Sequence, residues 1–325
     1  IREEHAFVRQ LHDEGLSVVP PLAFAGDTLQ AHGELRFALF RLQGGHAPEM
    51  DRAEVRMALG ETLGRLHAVG AREPFAEREA INVDGLGWAS LDTLLDGEWV
   101  DASLHDRLED VGSALLDAVE SAFADAEGVA TRRLHGDLHP GNVLWRDGRP
   151  HLVDFDDART GPAVQDLWML LDADPHRRET QLTEVLAGYE TFCDFDRGEL
   201  RLVEALRALR IVHFHAWIAR RWDDPAFPAA FPQFADRTHW ERVLGEWRDC
   251  GPIRRHPCHG PSMRPILRLT VLVGVLMASH AAMAQSAPAR TMDEILATAP
   301  DEAWRTPDPD DLLVMTLDSG RVVIE

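Results

Sequence analysis

The chain of 325 residues contains no lysine, so all 33 of its lysine-plus-arginine positions are arginine. This absence excludes a Walker-type phosphate loop, which needs a lysine to reach the β- and γ-phosphates. Cysteine is scarce: Cys193, Cys250 and Cys258 are odd in number and fall at no useful spacing. A disulfide framework is therefore not expected, and a reducing compartment is. Cys250, His256, Cys258 and His259 lie close together, but their spacing matches no zinc finger, and a solvated loop is expected there. Positive charge is also short. A formal net charge of −22 argues against a nucleic-acid partner, because phosphate backbones need a basic surface, and favours neutral or cationic partners. With 45% apolar residues, the chain can bury a substantial core in one or two domains.

Apolar residues recur at helical spacing over Ala53 to Val69 (Val55, Leu59, Leu63, Leu66) and over Leu104 to Phe123 (Leu108, Val111, Leu115, Val119). They do so again through Leu182, Val185, Leu186 and Tyr189, and through Leu202, Leu206, Leu209 and His213. These segments predict core-facing helices and a mainly helical mass. His213, His215 and the tryptophans Trp168, Trp217, Trp222, Trp240 and Trp247 read as packing groups. Nearer the start, Ile1 to Leu11 has the charge density of an exposed helix. FALFRL (37–42) reads as an apolar strand running into a flexible Gly44-Gly45 link.

The stretch LHGDLHPGNVLWRDGRPHLVDFDDAR (134–159) has a different pattern. Asn142 to Trp145 and His151 to Phe155 predict two short strands joined by an Asp147-Gly148 hairpin turn. Antiparallel pairing would bring the Asn142 amide oxygen and the Asp154 carboxylate to one end of the ribbon, a site for a hard cation such as Mg2+. Asp137 is then left to orient or deprotonate a hydroxyl. An Asp-rich turn by itself is usually a capped, solvated loop. Here His135-Gly136-Asp137, four residues, Asn142 and a later Asp after a strand reproduce the division of labour of phosphoryl transfer.

HGDLHPGN, LVDFDDA and GPAVQDLWMLL together resemble the phosphotransferase family of aminoglycoside, choline and homoserine kinases, which shares the protein-kinase-like fold. More closely, RLHGDLHPGNVLWRDG, VDFDDARTGPAVQDLWMLL and RRWDDPAFPAAFP (220–232) resemble a bacterial serine/threonine protein kinase branch of that family, active in stress response. The likeness spans about residues 1–247. It implies an α+β, two-lobe fold, with an incomplete small lobe and hinge over 1–45 and a mainly helical large lobe over 46–256. It also implies Asp137 as catalytic base and Asn142 and Asp154 as magnesium ligands, with Asp154 serving catalysis as well. His135 and Asp166 would brace the catalytic loop. The backbone of Leu39, Phe40, Arg41, Leu42 and Gln43 would meet adenine, and Glu4, or Glu3 in its place, would be the helix glutamate that pairs with a phosphate-anchoring lysine. With no lysine and no glycine-rich loop ahead of Ile1, the first strands of the small lobe are expected to be missing and the chain as it stands to be inactive.

The resemblance further implies Mg2+ and ATP as cofactor and co-substrate, and a monomer in the cytoplasm. The acceptor would be a protein serine or threonine, or alternatively a small hydroxyl compound, with no nucleic acid or membrane as partner. Two other readings stand beside it. LVDFDDA also resembles the Asp-x-Asp motif of haloacid-dehalogenase phosphatases, with Asp154 as nucleophile. The large lobe could instead serve as a catalytically dead scaffold. Beyond it, 257–290 reads as a linker holding a signal-peptide-like segment, 263–284, which conflicts with a cytoplasmic location and suggests a neighbouring gene product. Residues 291–325 hold a strand pair resembling the start of a cyclophilin-type peptidylprolyl isomerase.

Overall fold

The computed structural model describes residues 1–33, 35–172 and 174–250, together with the strands at 313–317 and 320–324. It divides into two units, Ile1–Val271 and Leu272–Glu325. In chain order the first unit runs α1 (Arg2–Asp13), β1 (Gln30–His32), β2 (Leu35–Phe37), α2 (Ala53–Gly70), α3 (Ala89–Asp96) and α4 (His105–Asp125). It continues with β3 (Thr131–Arg133), β4 (Val143–Arg146), β5 (Arg149–Leu152), β6 (Thr160–Pro162), α5 (Gln165–Trp168), α6 (Pro175–Tyr189), α7 (Val203–Ala219), α8 (Ala226–Ala230) and α9 (Arg237–Cys250). The strands pair antiparallel as β1–β2, β3–β6 and β4–β5. The result is the expected α+β architecture. In the second unit, β7 (Leu313–Leu317) and β8 (Gly320–Ile324) form the anticipated strand pair. The signal-like segment 263–284 and Cys258 lie outside the described residues. Among those residues no helix is long and apolar enough to cross a membrane.

All four periodic segments are helical, as α2, α4, α6 and α7. Helix α1 departs from its expected exposed character: Glu4, His5, Phe7, Val8 and Leu11 are all buried. Charge density misleads there because Glu4 and His5 lie on the inward face. Phe7 and Leu11 join Leu59, Leu63, Leu152 and Val185 in one core, while Leu108, Val212, Phe234, Trp240 and Trp247 build a second. His215 sits among the rings of Phe234, Trp240 and Trp247. Burial pulls its pKa down to about 4, and Nδ1 donates to the Ile211 carbonyl at 2.8 Å.

FALFRL is mostly not a strand. Only Phe37 of that run belongs to β2, Leu42 is fully exposed, and beyond Phe37 the pairing reduces to a bridge between Pro21 and Phe40 and the Leu22 N to Leu39 O bond at 2.7 Å. Nor is Gly45 part of a loose link. A β-carbon there would lie 2.9 Å from Leu144 Cβ, and the adjacent His46 exchanges two backbone hydrogen bonds with Trp145, at 3.1 and 2.7 Å. On the other edge of the hairpin, Leu152 N donates to Ser17 O at 2.9 Å. The chain segments following α1 and preceding α2 thus flank the motif-bearing hairpin.

Helices α2 and α6 approach until their backbones touch. A β-carbon on Gly60 would lie 1.9 Å from the Val185 carbonyl oxygen, and one on Gly188 would lie 2.0 Å from that of Met57. Alanine in place of a helical glycine ordinarily gains ~1 kcal/mol of helix propensity. Here the contact reverses the sign. Gly60→Ala should lower the unfolding free energy by about 1–3 kcal/mol in urea denaturation, the usual cost of overpacking; unchanged or increased stability would contradict the close packing.

Candidate active site

Asp166, on α5, is completely buried. Its Oδ2 accepts from His135 N at 2.8 Å and from His67 Nε2 at 3.0 Å, and its Oδ1 accepts from Gly136 N at 2.8 Å. Burial by itself pushes this carboxyl up. The hydrogen bond from His67, the nearby imidazoles and the Gly136 amide outweigh it and leave the pKa lowered. Burial also lowers the pKa of His67. Its imidazole is therefore neutral, with Nε2–H donating to Asp166 and Nδ1 accepting from the Tyr189 hydroxyl at 2.9 Å.

The loop so anchored is His135-Gly136-Asp137. His135 Nε2 donates to the Val153 carbonyl at 2.9 Å, which leaves Nδ1 as acceptor, facing Asp137 N at 3.4 Å. Gly136 has φ 88°, and a β-carbon there would lie 2.0 Å from the Asp157 carbonyl oxygen, so only glycine fits. Asn142 Nδ2 donates to the Asp137 carbonyl at 2.9 Å. That bond commits the amide nitrogen and leaves the amide oxygen for a ligand.

The hairpin turns at Asp147-Gly148, with φ 52° and 75°, the left-handed pair that a two-residue turn requires. Its second strand starts earlier and ends sooner than the sequence suggests, at Leu152. There Val143 pairs with Leu152, and Val153 N donates to Asn142 O at 3.1 Å. Asn142 and Asp154 consequently lie at the same end of the ribbon. Asp154 has φ 65°, uncommon for a residue with a β-carbon and often found where function fixes the backbone. The ring of Phe155 packs 4.4 Å from that of His135 and 6.3 Å from that of Phe7 on α1.

Asp154 keeps an open face to solvent. Partial desolvation by the surrounding protein, followed by repulsion from Asp156 and Asp137, nonetheless raises its pKa. A divalent cation would relieve that repulsion. Among the described residues no three His, Cys, Asp or Glu side chains cluster as a metal site. The donor set is the amide oxygen of Asn142 and the carboxylate of Asp154, which suits Mg2+ when phosphate oxygens and waters complete the shell.

Asp137 Oδ1 is buried and has no aligned hydrogen bond. Arg210, on α7, forms an ion pair with it. Oδ2 is 3.8 Å from His139 Nε2, and burial lowers the His139 pKa. Arg210 escapes sequence reasoning because it reads as an ordinary polar position in an apolar helix. Its only signal is a guanidinium one step from the core residue Ile211.

Of the remaining site candidates, Leu39 to Gln43 form an open stretch at the surface. Glu3 and Glu4 part company. Glu3 accepts backbone N–H groups from Ala76, Glu77 and Arg78 at 2.6, 2.9 and 2.8 Å. Glu4 turns inward, and Arg78 NH1 donates to it at 3.1 Å. Burial and then Asp156 raise the Glu4 pKa to about 7, against the pull of Arg78. The same arginine also donates to the carbonyls of Asp156 and Ala158, tying α1 to the segment after Asp154.

The description "APH: Phosphotransferase enzyme family" matches residues 1–203. Stress response kinase A of Salmonella choleraesuis (strain SC-B67) is 42% identical over 242 residues, covering 74% of this chain and 73% of the relative. Serine/threonine protein kinase RdoA of Salmonella typhimurium (strain LT2) has the same identity and coverage, 42%, 74% and 73%. Stress response kinase A of Escherichia coli (strain K12) is 39% identical over 257 residues, covering 79% and 77%. Among solved structures, amicoumacin kinase hAmiN superposes with a TM-score of 0.56 at 18% identity, covering 78% of each chain. The microcompartment-associated aminopropanol kinase does so with 0.54 at 17%, covering 78% of this chain and 82% of its own. These two structures share the fold.

Replacing Asp166 tests the anchoring of the loop. An asparagine keeps the shape but removes the charge and offers one acceptor where three donors now point. Asp166→Asn should cost about 2–4 kcal/mol of stability and speed hydrogen exchange at the His135 and Gly136 amides. Unchanged exchange at both amides would contradict the anchoring.

Proposed function

Since the chain belongs to the phosphotransferase enzyme family, we propose that it is a cytoplasmic serine/threonine protein kinase of a bacterial stress response, transferring the γ-phosphate of ATP to a protein hydroxyl. The observation that carries this reading is the gathering of Asp137, Asn142 and Asp154 on one loop-and-hairpin unit braced by Asp166. The names of the relatives supply the acceptor class.

Asn142 and Asp154 would hold Mg2+, which when bound neutralises charge on the β- and γ-phosphates. Asp137, whose Oδ1 pairs with Arg210 in this state, would orient the incoming hydroxyl and take its proton. The backbone of Leu39 to Gln43 would meet the adenine. Glu4 has Arg78 as its partner, and no lysine is present to grip the phosphates, so the rate of residues 1–325 should be low. The phosphatase reading of Asp154 has no support from the family match.

The two aspartates can be told apart. Asp154→Ala should weaken magnesium-dependent ATP binding as well as turnover. Asp137→Asn should leave magnesium-dependent binding nearly intact while turnover falls by about a hundredfold or more, the scale of a general base. Calorimetric titration of ATP with and without magnesium, beside a labelled-phosphate transfer assay, measures both. Full turnover in Asp137→Asn, or loss of nucleotide binding there but not in Asp154→Ala, would overturn these roles.

A further inference from the structure

A cavity of about 50 Å3 opens between the catalytic loop and α7, bordered by Asp157, Arg159, Arg210 and His213 over a floor of Leu206 and Leu209. Both guanidiniums are mostly withdrawn from solvent, with side chains 21% and 29% exposed. A charge they meet there is less screened than at an open surface. Their present partners leave donors to spare. Arg159 stands 3.7 Å from the more exposed Asp157 carboxylate, and Arg210 meets Asp137 without hydrogen-bond alignment, although an arginine carries five N–H donors. Burial, reinforced by Arg159, Arg220 and Arg210, lowers the His213 pKa to about 4, so the imidazole adds hydrogen bonding without charge. Its Nδ1 lies 3.2 Å from Ser90 Oγ.

The protein as a whole is acidic, yet the cavity beside its proposed base sets two arginines against the single carboxylate of Asp157 in an otherwise largely apolar lining. A cationic acceptor would meet two guanidiniums. The volume holds a few waters, at roughly 10–15 Å3 each, which is room for a carboxylate. Resting on the kinase reading above, we propose that this cavity is an acceptor subsite for the side-chain carboxylate of a glutamate or aspartate beside the phosphorylated serine or threonine. The carboxylate competes with Asp137 for Arg210. Acceptor binding thereby draws the cation off the base and leaves Oδ1 free to take the hydroxyl proton. The hydroxyl oxygen then bonds to the γ-phosphorus as the bond to ADP breaks. Arg210 and Arg159 are specificity-determining residues in this account, and Arg210 couples recognition to catalysis.

The test uses the full chain and three heptapeptides whose central serine is flanked on both sides by glutamate, alanine or arginine. In calorimetric titration the glutamate peptide should bind about tenfold more tightly than the alanine peptide, with the arginine peptide weakest. Arg159→Gln should erase the difference between glutamate and alanine, Arg159→Lys should keep most of it, and Arg159→Glu should reverse the order. That pattern distinguishes recognition from misfolding. Equal binding of the three peptides to the unaltered protein, tighter binding of the arginine peptide, or a glutamate preference that survives Arg159→Glu would overturn the subsite. Labelled-phosphate transfer to the same peptides separates the two levels of the account. Transfer at rates indifferent to the flanking residue defeats the subsite and leaves the kinase reading standing. A glutamate preference in peptide binding with no magnesium-dependent binding of ATP defeats the protein-kinase reading and supports the subsite.

Discussion

A single buried carboxylate sets the geometry of the site. Asp166 accepts the consecutive backbone amides of His135 and Gly136 and the imidazole of His67. Burying an isolated carboxylate costs several kcal/mol, and one so well supplied with donors persists where an unpaired one would not. The network runs outward through groups that are themselves buried. His67 accepts from Tyr189, and Arg132 donates to the same hydroxyl at 3.3 Å. Nearby, Glu199 accepts from Val164 N at 2.8 Å, just ahead of α5. Helices α2 and α6 supply His67 and Tyr189, so the glycine-mediated contact between these helices serves the loop as well as the core. Their backbones must touch for the two side chains to meet over Asp166.

The opposite side of the loop is organised by repulsion. Asp137, Asp154 and Asp156 converge with few cations nearby, and the backbone at Asp154 is held in a left-handed conformation. A divalent ion at this face would relieve the repulsion. Among the described residues Arg78 and Arg210 reach it: Arg78 ties Glu4 to the carbonyls after Asp154, and Arg210 lies against Asp137. Phe155, between His135 and Phe7, links the same segment to α1 through packing. A displacement of α1 would thus be felt at Asp154 by two routes, one apolar and one ionic.

Much of this was legible in the chain because it is local. The interval from His135 to Asn142, the Asp147-Gly148 turn and the position of Asp154 lie within one short stretch, so spacing alone indicates which groups share an end of the hairpin. The apolar periodicity of α2, α4, α6 and α7 likewise marks helices whose buried stripe is continuous. What could not be read depends on distant segments meeting. Glu4 and His5 look solvent-facing until Thr28, Arg78 and the Asp154 segment surround them, with His5 Nδ1 2.8 Å from Thr28 Oγ1. FALFRL has the composition of a strand, but beyond Phe37 its pairing shrinks to one bridge with Pro21 and one backbone hydrogen bond from Leu22. Gly60 and Gly188 interrupt good helical sequence for a reason visible only in the facing helix. Arg210 gains its meaning from a loop far away in sequence, and local pattern gives it none.

The central claim is that the end of the hairpin, at Asn142 and Asp154, receives the metal ion of a metal–nucleotide complex while Asp137 stands beside it. Paramagnetic Mn2+ with ATP, added to isotope-labelled protein and followed by nuclear magnetic resonance, reads this directly, because it broadens the signals of nearby nuclei irrespective of turnover. The amide resonances of Asn142, Val153 and Asp154 should broaden first and depend on the nucleotide, while those of the aromatic core around His215 and Trp240 stay sharp. Broadening centred elsewhere, or none at the hairpin end in the presence of both Mn2+ and ATP, would contradict the account.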